Sequence, residues 1–242
     1  FSEVKQALWD RGVSNINCVP VRPFSTIEAG FALQQLALHD NVSKNSFFYL
    51  NVAPRKDSVE ARQNNDGEPL VYAEMNSGAK VIATVSGFSL SMVRGSIKEL
   101  REVKISKDGS QFRSRDIFPE AVASLYHLND YLLGEKLAIE RVPKAPDSRV
   151  GYIDGFGNLK TTIRESETGL EPGSSLGIQI NNSDLKATRQ DGIFGVKDGE
   201  AVFAPGSSGG DDPFMEVVVR GGSAEETLGQ PDIGDRVHFT GV

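Results

Sequence analysis

Between two runs that read as strands, the stretch Gly151 to Ile163 (GYIDGFGNLKTTI) crowds Asp154, Phe156 and Asn158 into five positions separated by glycines. Gly155 and Gly157 free the backbone to turn tightly. The residue types left at the tip suit a planar heterocycle bearing amino groups. An aromatic face supplies stacking, while a carboxylate and a carboxamide aimed outward from the hairpin supply oriented hydrogen bonds. The alternative is a plain hairpin turn whose Phe156 packs onto its own domain.

Other chemistry-bearing residues are sparse. The three histidines, His39, His127 and His238, are scattered and Cys18 is the single cysteine, so no zinc-type cluster of N and S ligands can be assembled and no metal is expected. Cys18 falls near the end of a strand candidate with no histidine placed to activate it, and reads as a small buried hydrophobe. His39 reads as a helix-terminal cap or a surface residue. The run GSSGGDD, Gly206 to Asp212, imitates a phosphate loop but lacks the lysine and the following helix. Asp211 and Asp212 read as part of a solvated loop more readily than as a cation site. Arg113 and Arg115 form either a structural ion-pair patch or an anion-binding pair.

The elements that must position these residues fall into two textures. Phe1 to Asp10 predicts a short amphipathic helix, Asn15 to Val21 a strand, and Ser25-Thr26-Ile27-Glu28 a hydroxyl cap before a helix with apolar residues from Ala29 to Leu38. FFYLNV (47–52) predicts a buried strand, 69–75 and 79–85 two more joined through the turn Asn76-Ser77-Gly78, and Ile117 to Tyr126 a helix with Pro119 in its first turn. This alternation predicts an α/β domain over residues 1–142 with a largely parallel central sheet. Pro143 to Ser148 (PKAPDS) reads as a stiff linker. Residues 149–242 then show short strands with Gly, Asn and Asp turns every ten or so positions and no helix longer than SAEETLG, which predicts a smaller antiparallel β domain.

Composition narrows the function classes. Lys and Arg number 26 against 33 Asp and Glu, a net charge of -7 over 242 residues with no basic run, so no nucleic-acid partner is expected. No window approaches the ~20 apolar residues of a membrane helix, and no signal-peptide pattern is present. A soluble protein is expected, and the lone thiol suits a reducing, cytoplasmic compartment.

Read in order, several segments resemble the S-adenosylmethionine hydroxide adenosyltransferases, the family that also contains the fluorinating and chlorinating halogenases. GYIDGFGNLKTTI resembles their D-x-F-G-N segment, and FRSRDIFPEAVASL (112–125) their F-H-G-R-D-I-F segment. PFSTIEAGFALQQL followed by FFYLNVAP resembles their helix and the strand ending in Asp-Pro. GSSGGDDPFMEVVVRGGSAEETLG and DIGDRV resemble the segments that close the family's chain. The resemblance implies an α/β domain followed by a small β domain, assembled as a homotrimer. It also implies an adenosyl ligand, S-adenosylmethionine or adenosine, held between the first domain of one subunit and the second domain of its neighbour, with no further cofactor.

On the second-domain side the resemblance implies that Asp154 contacts the methionine part of the ligand, that Phe156 and Asn158 contact adenine, and that Ser207 lies near the methionine carboxylate. Phe194 matches a second adenine-side aromatic and Arg220 a further contact. The first-domain half departs from the pattern. Ala53-Pro54 stands where the family has Asp-Pro, Arg113 where it has the histidine, Thr84-Val85-Ser86-Gly87 where it has P-D-N-G, and Cys18-Val19 where it has a threonine-histidine pair. The family's N-terminal strand with its ribose-binding aspartate has no counterpart before Phe1.

In the family's chemistry, water attacks the ribose carbon bearing the sulfonium and methionine leaves. Arginine stays protonated and cannot act as the base. Asp57, Glu60 and Asp116 are the nearest acids in sequence, with nothing to single one out, so the catalytic residues stay open. The sequence therefore predicts either a divergent hydrolase-like enzyme or a catalytically inactive relative serving as a binding or assembly subunit.

Overall fold

In the computed structural model, residues 2–39, 41–52, 67–106 and 110–241 are described. They divide into two compact units, Phe1–Lys144 and Ala145–Val242. No described helix is long and apolar enough to cross a membrane.

The first unit runs α1 (Ser2–Trp9), α2 (Thr26–Ala37), β1 (Phe47–Leu50), β2 (Leu70–Met75), β3 (Lys80–Thr84), β4 (Ile97–Val103), α3 (Arg113–Asp116), α4 (Phe118–Tyr126) and β5 (Leu133–Lys136). Ser25 caps α2, its Oγ accepting from the Glu28 backbone N–H, as the hydroxyl run predicts. Period-two alternation gives the sheet two apolar faces. Val71, Ala73, Val81 and Ala83 face the side of Leu33 and Ala37 of α2. Leu70, Tyr72 and Ile82 face the side of Leu8 of α1 and Phe118, Val122 and Leu125 of α4.

The sheet order is β1-β3-β2-β4-β5, and it corrects the expectation of a largely parallel sheet. Among its described strands, only β1 and β3 pair in parallel. β2 is antiparallel to β3 and to β4, and β4 is antiparallel to β5. The physical reason is the Asn76-Ser77-Gly78 turn, which is far too short for a crossover and forces β2 and β3 into a hairpin. β4 (IKELREV) and β5 (LGEK) are charged, half-exposed strands that an apolar-run reading passes over. Residues 15–21 form no strand. Cys18 and Val19 are exposed there, so Cys18 is not the buried small residue expected.

The second unit contains β6 (Val150–Ile153), β7 (Leu159–Arg164), α5 (Glu165–Thr168), β8 (Ser175–Ile180), β9 (Ser183–Arg189), β10 (Ala201–Pro205), β11 (Phe214–Val219), α6 (Ala224–Thr227) and β12 (Val237–Gly241). Its order is β12-β8-β9-β10-β11-β7-β6, antiparallel except for the parallel pair β9–β10. The two edges meet: Arg149 bridges Arg236, and the Val150 N–H donates to the Asp235 carbonyl at 2.9 Å. The sheet thereby closes into a barrel. Val150, Leu159, Ile178, Phe203, Val217 and Val237, each from a different strand, fill its interior, and Leu228 closes one cluster with them.

Candidate functional site

The turn between β6 and β7 is built by its own polar groups. The Gly157 N–H donates to the Asp154 carbonyl at 3.0 Å, closing a four-residue turn, and the Asp154 N–H donates to the Asn158 carbonyl at 3.2 Å. Asp154 Oδ1 accepts the backbone N–H groups of Phe156 (2.9 Å) and Asn158 (3.0 Å), while Oδ2 accepts the Asn158 side-chain amide (3.0 Å). The sequence reading aimed both polar side chains outward. The structure corrects this: Asp154 and Asn158 hold each other, in the aspartate-to-backbone pattern that stabilises turns. Among the described residues, the Asn158 amide oxygen and its second amide hydrogen take no partner.

With its flanks tied down, Phe156 stands 82% exposed, not packed onto the domain. The turn rests on α6, where the Glu225 N–H donates to the Gly157 carbonyl at 2.9 Å. Gly157 sits at φ +76, and a Cβ there would overlap Ser223 Oγ and lie 2.9 Å from Ser223 Cβ. Gly157→Ala therefore meets both left-handed strain and a clash. Its expected effect is a loss of about 2 kcal/mol or more of stability, read as a lower midpoint in thermal unfolding. Ser223 and Glu225 are not singled out by the sequence; the signal that could have found them is Ser223 opening the SAEE run as a helix cap, its side chain accepting from the Glu226 N–H.

Strand register shows which other candidates share this end of the barrel. Leu159 pairs with Val217 and Ala201 with Val219, so the 154–158 turn and Arg220 lie at the same end of β11. Arg220 Nη1 donates to the Val196 carbonyl at 2.6 Å, and its guanidinium carbon lies 5.5 Å from the centroid of Phe194. Phe194, 82% exposed, thus belongs to the same end. Ser207 does not. It follows Pro205, which pairs with Met215 at the far end of β10, about 14 Å of strand from Ala201. Its loop is fastened from beside it. Arg164 Nη1 donates to the carbonyls of Gly209 (3.1 Å) and Asp212 (2.6 Å), and Ser166 donates to both Asp212 oxygens.

In the first unit, Ala53, Asp57 and Glu60 lie outside the described residues. Thr84 and Ser86, at the P-D-N-G position, both donate their hydroxyls to the Val52 carbonyl, at 2.8 and 3.2 Å. Asp116 is gripped by Arg115, Nε to Oδ1 at 2.6 Å and Nη2 to Oδ2 at 2.9 Å. That pairing pushes its carboxyl down to about 2, making it a weak proton acceptor. Arg115 also lies 3.5 Å from Glu3, so Arg115 is the structural ion-pair member of the two arginines. Arg113 is buried and makes no such pair with any described residue. Among the described residues, no group of three or more His, Cys, Asp or Glu is placed to hold a metal ion.

Comparison with known proteins bears on the second unit most directly. The family model described as "SAM hydroxide adenosyltransferase C-terminal domain" matches residues 148–238, which span the turn, Phe194, Ser207 and Arg220. No curated protein matches the chain. Among solved structures, an uncharacterized conserved protein from Thermotoga maritima is similar in fold, with a TM-score of 0.73 and 20% identity over 98% of this chain and 93% of that one. A conserved hypothetical protein from Thermus thermophilus is similar too, with a TM-score of 0.63 and 20% identity over 99% of this chain and 93% of that one. The second unit is therefore similar to a SAM hydroxide adenosyltransferase C-terminal domain over residues 148–238, and the likeness to the two solved structures extends to the fold of the whole chain.

Proposed function

We propose that the protein binds an adenosyl ligand, S-adenosylmethionine or adenosine, at the 154–158 turn, in a cleft completed by a neighbouring copy in a homotrimer. The observation behind this is the family match across a rigid turn that presents Phe156 bare to solvent. Phe156 stacks against the adenine face. Asn158, its amide oriented by Asp154 Oδ2, offers one acceptor and one donor to the ring edge. Phe194 and Arg220 line the same end of the barrel. Asp154 contributes mainly by fixing the turn, with Oδ2 open to one further donor such as the ligand's amino group. Chemistry, where present, is hydrolysis of S-adenosylmethionine to adenosine and methionine. The second reading, a catalytically silent binding or assembly subunit, is favoured by Arg113 in place of the family's histidine. A cytoplasmic location belongs to the same reading, since the exposed thiol of Cys18 is unbridged.

The test is adenosine and S-adenosylmethionine affinity by calorimetry for the parent and for Phe156→Ala, with melting temperatures for both. Stacking on an aromatic ring is worth ~1–3 kcal/mol per base, so affinity should fall roughly tenfold or more while the melting temperature holds. A parent that binds neither nucleoside would sink the reading.

A further inference from the structure

Of the two arginines that the sequence sets beside an anion-binding role, Arg113 is the one with no acid paired to it among the described residues. It is 8% exposed, and its side chain makes no hydrogen bond or ion pair to any described residue; its Nε is buried with no partner. Its guanidinium carbon lies 5.6 Å from the centroid of the Phe118 ring, which attracts the cation but accepts no hydrogen bond in its plane. A Cβ on Gly67 would come within 3.0 Å of Arg113 Cδ and 3.3 Å of Nε, so the absent side chain leaves room along the guanidinium stem. A buried charge without a partner is strongly disfavoured, because water no longer solvates it and nothing replaces that water.

Its place in the fold points the same way. Gly67 leads into β2, and the Val85 N–H donates to the Pro69 carbonyl at 3.0 Å. Leu70 pairs with Thr84, and Leu50 with Ala83, so this segment lies at the sheet end toward which the parallel strands β1 and β3 run. Ligands of α/β sheets collect outside the carboxyl ends of parallel strands. Among the described residues, the Thr84 and Ser86 hydroxyls at that end are already spent on the Val52 carbonyl, whereas the Arg113 side chain has no partner.

We propose that Arg113 is the receptor for an oxyanion, the phosphate or carboxylate group of a ligand of the first unit. The planar fork of the guanidinium presents paired N–H donors that match either group. This site uses no residue of the 154–158 turn and stands or falls independently of adenosyl binding.

The experiment is thermal unfolding of the full chain with increasing inorganic phosphate or acetate, ionic strength being held constant with sodium chloride. The parent should show a saturable rise in its unfolding midpoint of roughly 2–5 °C with at least one of the two. A response to phosphate alone identifies a tetrahedral anion, and to acetate alone a carboxylate. Arg113→Met should abolish the rise and, without added anion, melt at or above the parent. Arg113→Lys, which keeps the charge and loses the fork, should respond more weakly, and Arg115→Gln should respond like the parent. The proposal is overturned if no anion stabilises the parent, or if Arg113→Met responds as the parent does. It is overturned equally if Arg113→Met melts several degrees lower in chloride alone, since that result means a protein group already pairs with the arginine.

Discussion

S-adenosylmethionine incubated with this protein should remain essentially intact. A positioned general base contributes ~10²–10⁴-fold to a rate, and Ala53 and Arg113 stand where the resembled family has an acid and a histidine. Arg113 carries a permanent proton and cannot accept another. The nearest described acid, Asp116, is no substitute, because Arg115 holds both its oxygens and keeps its proton affinity low. Adenosine release, followed by chromatography over hours, should fall at least ~10²-fold below the roughly 1–10³ per second typical of enzymes. Turnover at ordinary enzymatic rates would show that another residue has taken over the base.

The second large effect concerns the frame beneath the turn. Lys160 and Glu216 sit opposite each other on β7 and β11, Nζ to Oε1 at 2.6 Å, with side chains only 8% and 12% exposed. Removing one member of a buried pair strands the other charge, which typically costs 3–5 kcal/mol, whereas replacing both by apolar residues of similar size is often neutral. Lys160→Met should therefore lower stability by about 3–5 kcal/mol, and Lys160→Met with Glu216→Met together should recover most of it. Urea denaturation followed by circular dichroism gives the comparison. Equal losses in the single and double variants would mean that the pair is not what stabilises this part of the barrel.

The parts of the fold legible in the sequence were those with strong local signals. The Ser25 cap, the apolar run of α2 and the Gly-and-Asn turns announced their elements directly. β4 and β9 escaped because their alternation is charged against weakly apolar, IKELREV and SDLKATR, and their apolar faces mean something only once a partner strand is known. The same limit shaped the candidate site. Asp154, Phe156 and Asn158 were legible as a turn because they are adjacent in sequence, and Arg220 and Phe194 come to the same end of the barrel. Ser207, which the resemblance sets near the methionine carboxylate, lies toward the other end of β10, a separation set by strand register that no residue spacing encodes. Asp154 was misjudged in direction rather than place, since an aspartate that begins a tight turn meets the backbone N–H two residues on before it meets anything else.

The closure of the barrel governs when the second unit can form during synthesis. Arg149 Nη1 reaches the Gly234 carbonyl, 85 positions along the chain, and the neighbouring backbone bonds span a similar interval. The opening strand β6 waits for β12, so a nascent chain halted before about residue 237 leaves the ribosome with two unpaired edges, each able to recruit another chain. Long-range pairing of this kind slows folding, because the entropy of the intervening loop is lost before the contacts return it. The last strand to emerge is thus the one that converts an aggregation-prone open sheet into a protected fold.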